Sequence, residues 1–276
     1  MRGDHARLRL SESRFADLKW VDETGSTNRD LLDLAALGGV GDVVLIADFQ
    51  TAGRGRLDRS WHAPRNASLL ASMLFRRSMP VRDGHLVSTA VGVSAVEACA
   101  EVAGVAVGLK WPNDLVIEQA GSNDYRKLGG ILAESIVEGD AISAVVVGIG
   151  INVNWPVELP TELADIAVAL NQLANHDIDR EQLVIAMLLR LDHWASAIFS
   201  SGAMGRERLM QRARELSATL NRRVRVQIGS DEIEGHAVAL TDAGELLVEV
   251  ASADSLDGVV RHTIIAGDVT HVRPAQ

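Results

Sequence analysis

Features that define several well-known functional classes are missing from this 276-residue sequence. Its single cysteine, Cys99, excludes a disulfide within the chain, and the eight histidines show no HExxH spacing that would indicate zinc. There is no GxxxxGK[ST] loop, and the glycine-rich stretch at 148–152 lacks the third glycine of a dinucleotide fingerprint. Disulfide-stapled, zinc-dependent, P-loop and dinucleotide-binding proteins are therefore disfavoured.

Positive charge is also in short supply, with 27 Lys and Arg against 37 Asp and Glu and a net charge of −10. Broad nucleic-acid binding needs a basic surface, so we expect no DNA partner. No uninterrupted apolar run reaches the roughly 20 residues that span a bilayer, and the N-terminus lacks an apolar signal core. We therefore expect a cytoplasmic protein with no membrane partner.

The apolar content of 47% is enough for one large and one small domain. Residues 1–220 mix strand patterns, such as 43–47 and 68–75, with helical patterns, such as 85–102. From residue 221 to 276 the segments are short, alternating and separated by turn signals, which predicts a small β-barrel. The expected class is α+β with a boundary at 220/221, and residues 1–18 are expected to be flexible.

A buried strand at 43–47 opens into a loop in which arginines alternate with glycines: Gly53, Arg54, Gly55 and Arg56. Cations and bare backbone N–H groups in such a loop suit an anion. A solvated arginine loop explains the same residues equally well. The loop by itself therefore leaves the anion site open.

Further polar residues occur at the ends of predicted elements. Ser26 or Thr27 can cap the helix that follows, and the same hydroxyl groups suit a polar ligand. Pro112 interrupts the strand pattern at 108–117 and places Asn113 and Asp114 at a turn. No Ser–His–Asp or Cys–His pattern accompanies them, so the sequence does not predict a protein nucleophile.

Five motifs occur in order: GSTN at 25–28, QTAGRGR at 50–56, KWPND at 110–114, RKLGGILAE at 126–134 and GIGIN at 148–152. With the terminal strands, this series resembles the biotin protein ligases, also called biotin–[acetyl-CoA-carboxylase] ligases, over residues 19–273. The resemblance implies a class II synthetase-like, biotin–lipoyl ligase catalytic domain, with a mixed sheet and helices, and a C-terminal SH3-like barrel.

The resemblance also implies a reaction. Biotin and ATP, accompanied by Mg²⁺, would form biotinyl-5′-AMP, and a lysine of a biotin carboxyl carrier protein would then take the biotinyl group. The implied protein is a monomer or a homodimer. Catalysis would depend on positioning and on cations that offset the charge of the carboxylate and the phosphates.

Site residues are carried over by motif. The implied biotin-binding residues are Ser26, Thr27, Asn28, Gln50, Gly53, Arg54, Arg56, Lys127, Gly129, Gly130 and Ile131. Those implied for ATP and the adenylate are Arg54, Arg56, Trp61, Asn113, Lys127, Asn152 and Arg273. The implied catalytic residues are Lys127, Arg54, Arg56 and Asp114, of which Asp114 is also the candidate metal ligand. Asp114 as mere support for the turn at Pro112 is the simpler alternative.

Two other functions remain open. One is a bifunctional biotin-operon repressor, which the short N-terminal segment and the negative charge disfavour. The other is a lipoyl or octanoyl transferase of the same superfamily, which GRGR and KWPND disfavour. The chain also departs from the family pattern at Asp58, where glycine is usual, and at Gly129, where alanine is usual.

Overall fold

The computed structural model describes residues 3–38, 41–119, 124–156, 163, 165–253, 255 and 258–271. Its larger part contains strands β1 Leu18–Val21, β2 Val43–Ala47, β3 Ser68–Phe75, β4 Met79–Pro80, β5 Gly108–Lys110, β6 Asp114–Glu118, β7 Tyr125–Glu138 and β8 Ala141–Asn152. They form one sheet in the order β1–β2–β3–β8–β7–β6–β5, and β4 also pairs with β8. β1 and β2 run parallel, and the other described pairs are antiparallel.

The helices of the larger part are α1 Asp4–Arg9, α2 Thr27–Ala36, α3 His85–Ala103, α4 Leu170–Ala174, α5 Arg180–Ser200 and α6 Gly202–Glu215. Apolar side chains of α3, α5 and α6 share the main core with one face of the sheet, and those of α2 cover the other face. β2 shows why both faces are buried. Val44 belongs to the main core, whereas its neighbours Val43 and Leu45 pack with α2.

Two helical stretches, Val81–Ala103 and Arg180–Ser200, are long and apolar enough to cross a membrane when judged by length and composition. Within the protein, 67% and 56% of their most apolar windows are buried. Both belong to the main core, where they pack against each other. Their apolar character is accounted for by this packing.

The described part of the N-terminal segment packs against the main core, and its flexibility stays a prediction. Leu10 and Phe15 are fully buried in the main core. The Ala6 amide donates to Glu181 Oε1 at 2.9 Å, and Arg14 contacts Asp192 at 2.7 Å. The composition of residues 1–18 is mostly basic and polar, so it gave no sign that Leu10 and Phe15 are buried in the core.

The C-terminal part is a second sheet built from β9 Arg222–Ile228, β10 Asp231–Leu240, β11 Leu246–Ala251, β12 Val259–Ile264 and β13 Asp268–His271. It is antiparallel in the order β12–β11–β10–β9–β13, which confirms the predicted run of short alternating strands. Closure into a barrel and the boundary at 220/221 remain predictions. Trp111, from the β5–β6 turn, packs against the core of this sheet and donates to the Gly244 carbonyl at 2.9 Å.

Candidate active site

A cavity of about 340 Å³ lies where α2, the arginine loop, the large sheet and β13 meet. Twelve of the sixteen sequence-predicted residues line it: Ser26, Thr27, Asn28, Gln50, Arg54, Arg56, Trp61, Asn113, Asp114, Lys127, Gly130 and Ile131. Residues separated by up to about 100 positions in sequence therefore share one space. The structure brings together all five motifs of the predicted series, the fifth through Gly148, Ile149 and Gly150.

One part of the cavity is an uncharged set of hydrogen-bonding groups, here called the hydroxyl–amide cluster: Thr27, Asn28, Gln50 and Ser72. Gln50 Oε1 accepts from the Thr27 amide at 2.7 Å and lies 3.0 Å from Thr27 Oγ1. Thr27 Oγ1 lies 2.7 Å from Ser72 Oγ, which donates to Asn28 Oδ1 at 2.6 Å. Such a cluster suits a ligand group that both donates and accepts hydrogen bonds.

Gly148 makes room for this cluster. A Cβ atom added at Gly148 would lie 2.0 Å from Asn28 Oδ1 and 3.2 Å from Ser72 Oγ. Because α2 begins at Thr27, Asn28 lies in its first turn, and it can reach β8 only where the strand has no side chain. Gly148 therefore has a packing role: it leaves the space that the Asn28 side chain occupies.

Another part of the cavity, here called the charged cluster, holds Arg56, Arg59, Lys110, Asp114, Lys127 and Asp268. Lys127 Nζ lies 2.6 Å from Asp114 Oδ1, and their side chains are 39% and 23% exposed. Asp268, from β13, contacts Arg59 and lies 3.9 Å from Arg56. Two of the three pairs join the arginine loop to β13, so the second sheet completes the charged wall of the cavity.

The arginine loop turns back on itself between Arg54 and Ser60, which form an antiparallel bridge. Leu57 and Asp58 at its tip both have left-handed backbone, with φ of 53° and 57°. This conformation explains why glycine suits position 58, and aspartate is one of the side chains that tolerate it. The neighbouring Arg56 and Arg59 contact Asp268, and Arg56 also donates to Asn113 Oδ1.

Trp61 closes the loop against the sheet. Its indole lies over Gly150, where an added Cβ would be 2.6 Å from Trp61 Cε2. Lys127 Nζ is 5.8 Å from the centre of the ring, within the range of a cation–π contact. Trp61 Nε1 is buried and has no hydrogen-bond partner among the described residues. A planar ligand group at this ring would have an unpaired donor beside it.

Lys110 is a functional candidate that sequence reasoning did not select. Burial lowers its pKa below the ordinary value of 10.5, an effect that Asp114 opposes and Lys127 reinforces. Lys110 lies opposite Asp114 in the β5–β6 pair and lines the cavity. Its position within KWPND was the available signal. Ser72, Arg59 and Asp268 were missed because each lies outside the five motifs or in the second sheet.

Three predicted residues with described positions do not line the cavity: Gly53, Gly129 and Asn152. Gly53 supports the base of the loop, where an added Cβ would meet the Trp61 carbonyl at 2.4 Å. An added Cβ at Gly129 would lie 2.6 Å from the Gly150 carbonyl, so the alanine usual in the family needs a backbone shift here. Asn152 is buried and donates to the Val168 carbonyl at 3.1 Å. Arg273 lies outside the described residues.

A second cavity, of about 290 Å³, adjoins the first. The two share a wall that consists of the β5–β6 turn with its flanking residues, Arg56 and two residues of β7. The far side of the second cavity is made by α3, the end of α6 and the second sheet. The turn at Trp111–Asp114 is therefore accessible from two directions.

A resident metal ion does not fit the described site. Among the residues with described positions, no three His, Cys, Asp or Glu side chains lie close enough together to hold a metal ion. The carboxylates that line the cavity, Asp114 and Asp268, already contact Lys127 and Arg59. Mg²⁺ can be held by one carboxylate and the phosphates of a nucleotide. The site is therefore compatible with Mg²⁺ that arrives with its nucleotide.

The sequence matches known families over most of its length. Residues 25–152 match the biotin/lipoate A/B protein ligase family, and residues 219–272 match the biotin protein ligase C terminal domain. The biotin–[acetyl-CoA-carboxylase] ligase of Mycobacterium tuberculosis is 35% identical over 271 residues, which cover 95% of this chain and 91% of the relative. This chain belongs to the biotin protein ligase family. The predicted family and the predicted mixed α/β catalytic fold are thereby confirmed.

Other relatives agree with this assignment. The bifunctional ligase/repressor BirA of Bacillus subtilis is 33% identical over 252 residues, which cover 88% of this chain and 75% of the relative. A solved structure of biotin protein ligase from Aquifex aeolicus, in complex with biotin and ATP, has a TM-score of 0.72 and 27% identity. That match covers 94% of this chain and all of the other.

Proposed function

We propose that this ligase joins biotin to a specific lysine of a biotin carboxyl carrier protein or domain of an acyl-CoA carboxylase, with conversion of ATP to AMP and diphosphate. The observation that carries the proposal is the pairing, in one cavity, of a neutral hydroxyl–amide cluster with a charged cluster. The cyclic urea of biotin needs the first, and its carboxylate and the ATP phosphates need the second. The family membership and the biotin and ATP complex of the Aquifex relative support the same assignment.

In the first step, a biotin carboxylate oxygen attacks the α-phosphorus of ATP, the bond from that phosphorus to the bridging oxygen breaks, and diphosphate leaves. The attack brings like charges together. Lys127 has three ammonium donors, so it can keep one on Asp114 while it contacts both the carboxylate and the α-phosphate. Arg56, already held by Asn113 at 3.0 Å, adds a second cation at the same place.

In the second step, the acceptor lysine amine attacks the acyl carbon of biotinyl-5′-AMP, the bond to the phosphate oxygen breaks, and AMP leaves. The amine must lose protons as the amide forms. Asp114 lines both cavities, so its carboxylate is in reach of an amine that approaches from the second one. We assign it the orientation and deprotonation of that amine.

Mg²⁺, when bound, would neutralise part of the triphosphate charge and orient the leaving diphosphate. The described carboxylates favour an ion that binds together with the nucleotide over one held in a preformed protein cage. We further propose that the protein acts in the cytoplasm without DNA or membrane partners, as a monomer or a homodimer.

The decisive experiment is transfer of labelled biotin to an isolated carrier domain with ATP, with and without Mg²⁺. We expect labelled carrier, AMP and diphosphate in equal amounts. Lipoate and octanoate in place of biotin test the transferase alternative, and a gel shift on biotin-operon DNA tests the repressor alternative. Transfer of lipoate without transfer of biotin would overturn the proposal.

A further inference from the structure

A continuous path of side-chain contacts at hydrogen-bonding distance leaves the arginine loop at its base and returns to it at its first arginine. Six side chains form the path: Gln50, Thr27, Ser72, Asn28, Glu134 and Arg54. The donor–acceptor distances along it lie between 2.6 and 3.0 Å. The hydroxyl–amide cluster is thus one portion of a longer network. Glu134, on β7, is the member that joins this cluster to the loop.

Glu134 fixes the orientation of the Asn28 amide. Asn28 Nδ2 donates to Glu134 Oε2 at 3.0 Å and to the Leu132 carbonyl at 3.1 Å. A carboxylate and a carbonyl can only accept, so the NH₂ group must face them and the amide oxygen must face Ser72. Ser72 is consequently committed as a donor to Asn28 Oδ1, at 2.6 Å.

That commitment leaves the cluster one hydrogen short. Three contacts, Gln50–Thr27, Thr27–Ser72 and Ser72–Asn28, depend on the hydrogens of two hydroxyl groups. The Thr27 amide already donates to Gln50 Oε1, which identifies that atom as an acceptor. With the Ser72 hydrogen used, Thr27 can serve one neighbour and not both. The oxygen that Thr27 does not serve can accept a hydrogen bond from an N–H group of a ligand. A cyclic urea carries two such N–H groups.

The second oxygen of Glu134 holds the loop. Arg54 Nη1 lies 2.9 Å from Glu134 Oε1, and the two side chains are 44% and 24% exposed. Arg54 also forms the bridge with Ser60 that folds the loop back on itself. One carboxylate therefore contacts both the group that sets the donor pattern of the cavity and the loop that borders it.

We propose that Glu134 is a positioning residue that makes the cavity selective for a cyclic urea and couples urea binding to the position of the arginine loop. The inference rests on the proposed biotin ligase activity and deepens it. It assigns to Arg54 a structural pairing with Glu134, so the cations left for the carboxylate and phosphates are Lys127, Arg56, Arg59 and Lys110.

The test compares Glu134→Gln with Glu138→Gln, an exposed glutamate on the same strand. A glutamine at 134 can donate to Asn28 and permits the amide to invert, so the donor pattern is no longer fixed. We expect the KM for biotin to rise about tenfold, with the KM for ATP, kcat at saturating biotin and Tm changed by little. Glu138→Gln should match the wild type in all four quantities.

The pairing of Glu134 with the loop is tested separately by Arg54→Gln. This substitution changes a half-exposed side chain and leaves the residues of the hydroxyl–amide cluster unchanged. If the coupling exists, Arg54→Gln alone raises the KM for biotin. The KM of the double variant Glu134→Gln/Arg54→Gln is then no higher than that of the more impaired single variant. Equal KM values for biotin in Glu134→Gln and Glu138→Gln would overturn the inference, as would proportional losses for biotin and ATP. If the wild type transfers no biotin, the proposed function itself fails, and the two failures are thereby distinguished.

Discussion

Replacement of Lys127 by Met should abolish most adenylate formation while the fold persists. The side chain lies at the surface of a cavity, 39% exposed, so the substitution opens no sealed core space. Its ammonium group is 2.6 Å from Asp114 Oδ1 and faces the Trp61 ring at 5.8 Å. The variant removes one cation and leaves a carboxylate without its partner at the place where we position two anionic substrates.

The expected loss can be worked out from these contacts. Loss of one preorganised donor to a developing anion costs about 3 kcal/mol, or roughly a hundredfold in rate. Two like charges about 4 Å apart repel by about 4 kcal/mol at an effective dielectric constant of about 20. Because Asp114 is partly exposed, solvent screens much of this repulsion, and we expect a total loss of about 10²- to 10³-fold.

The assay is diphosphate release from biotin and ATP under saturating conditions, with circular dichroism to verify folding. Lys19→Met, at an exposed position on β1, is the matched control and should be unaffected. Removal of the unpaired carboxylate in Lys127→Met/Asp114→Asn should recover part of the first step. Near-normal diphosphate release by Lys127→Met, or no recovery in the double variant, would refute the reasoning.

Three further outcomes follow from the packing. Gly148→Ala should displace Asn28 and lower the free energy of unfolding by about 2 to 3 kcal/mol, as measured by urea denaturation. The control is Gly41→Ala, where the added Cβ meets nothing within 4 Å. Lys110→Met should be more stable than the wild type at pH 7, because burial disfavours the charged ammonium group of the folded wild type. This advantage should shrink as pH rises towards 10.5, because the unfolded wild type then binds more protons than the folded wild type. A difference in stability that is constant with pH would contradict the prediction. Burial raises the pKa of the Cys99 thiol to about 12, so Ellman's reagent should titrate it after denaturation and leave the native protein unlabelled.

Local patterns predicted much of the fold correctly. The strands at 43–47 and 68–75 have the predicted bounds, because continuous apolar runs bounded by turns fit strands buried on both faces. The break at Pro112 separates β5 from β6, since proline cannot join a strand ladder there. The helical pattern at 85–102 was also correct to within one residue, since α3 ends at Ala103.

The motifs located most of the cavity, but they could not reveal its contacts. Nothing in the sequence says that Asp268 meets Arg59, since 209 positions separate them. Arg54 and Arg56 look alike in GRGR, yet one pairs with Glu134 and the other with Asn113. Which partner each arginine reaches depends on how β7 and the β5–β6 turn lie beside the loop, and that is a property of the assembled sheet.

The contact between Arg59 and Asp268 has a consequence for the order of events during synthesis. A ribosome adds about 5–20 residues each second, so the 209 positions between the two side chains represent roughly 10–40 s of translation. During that interval the arginine loop has emerged, whereas its carboxylate partner and the sheet that receives Trp111 have not. A nascent chain therefore carries an incomplete cavity, and competence to bind nucleotide is expected to appear only after β13 is released.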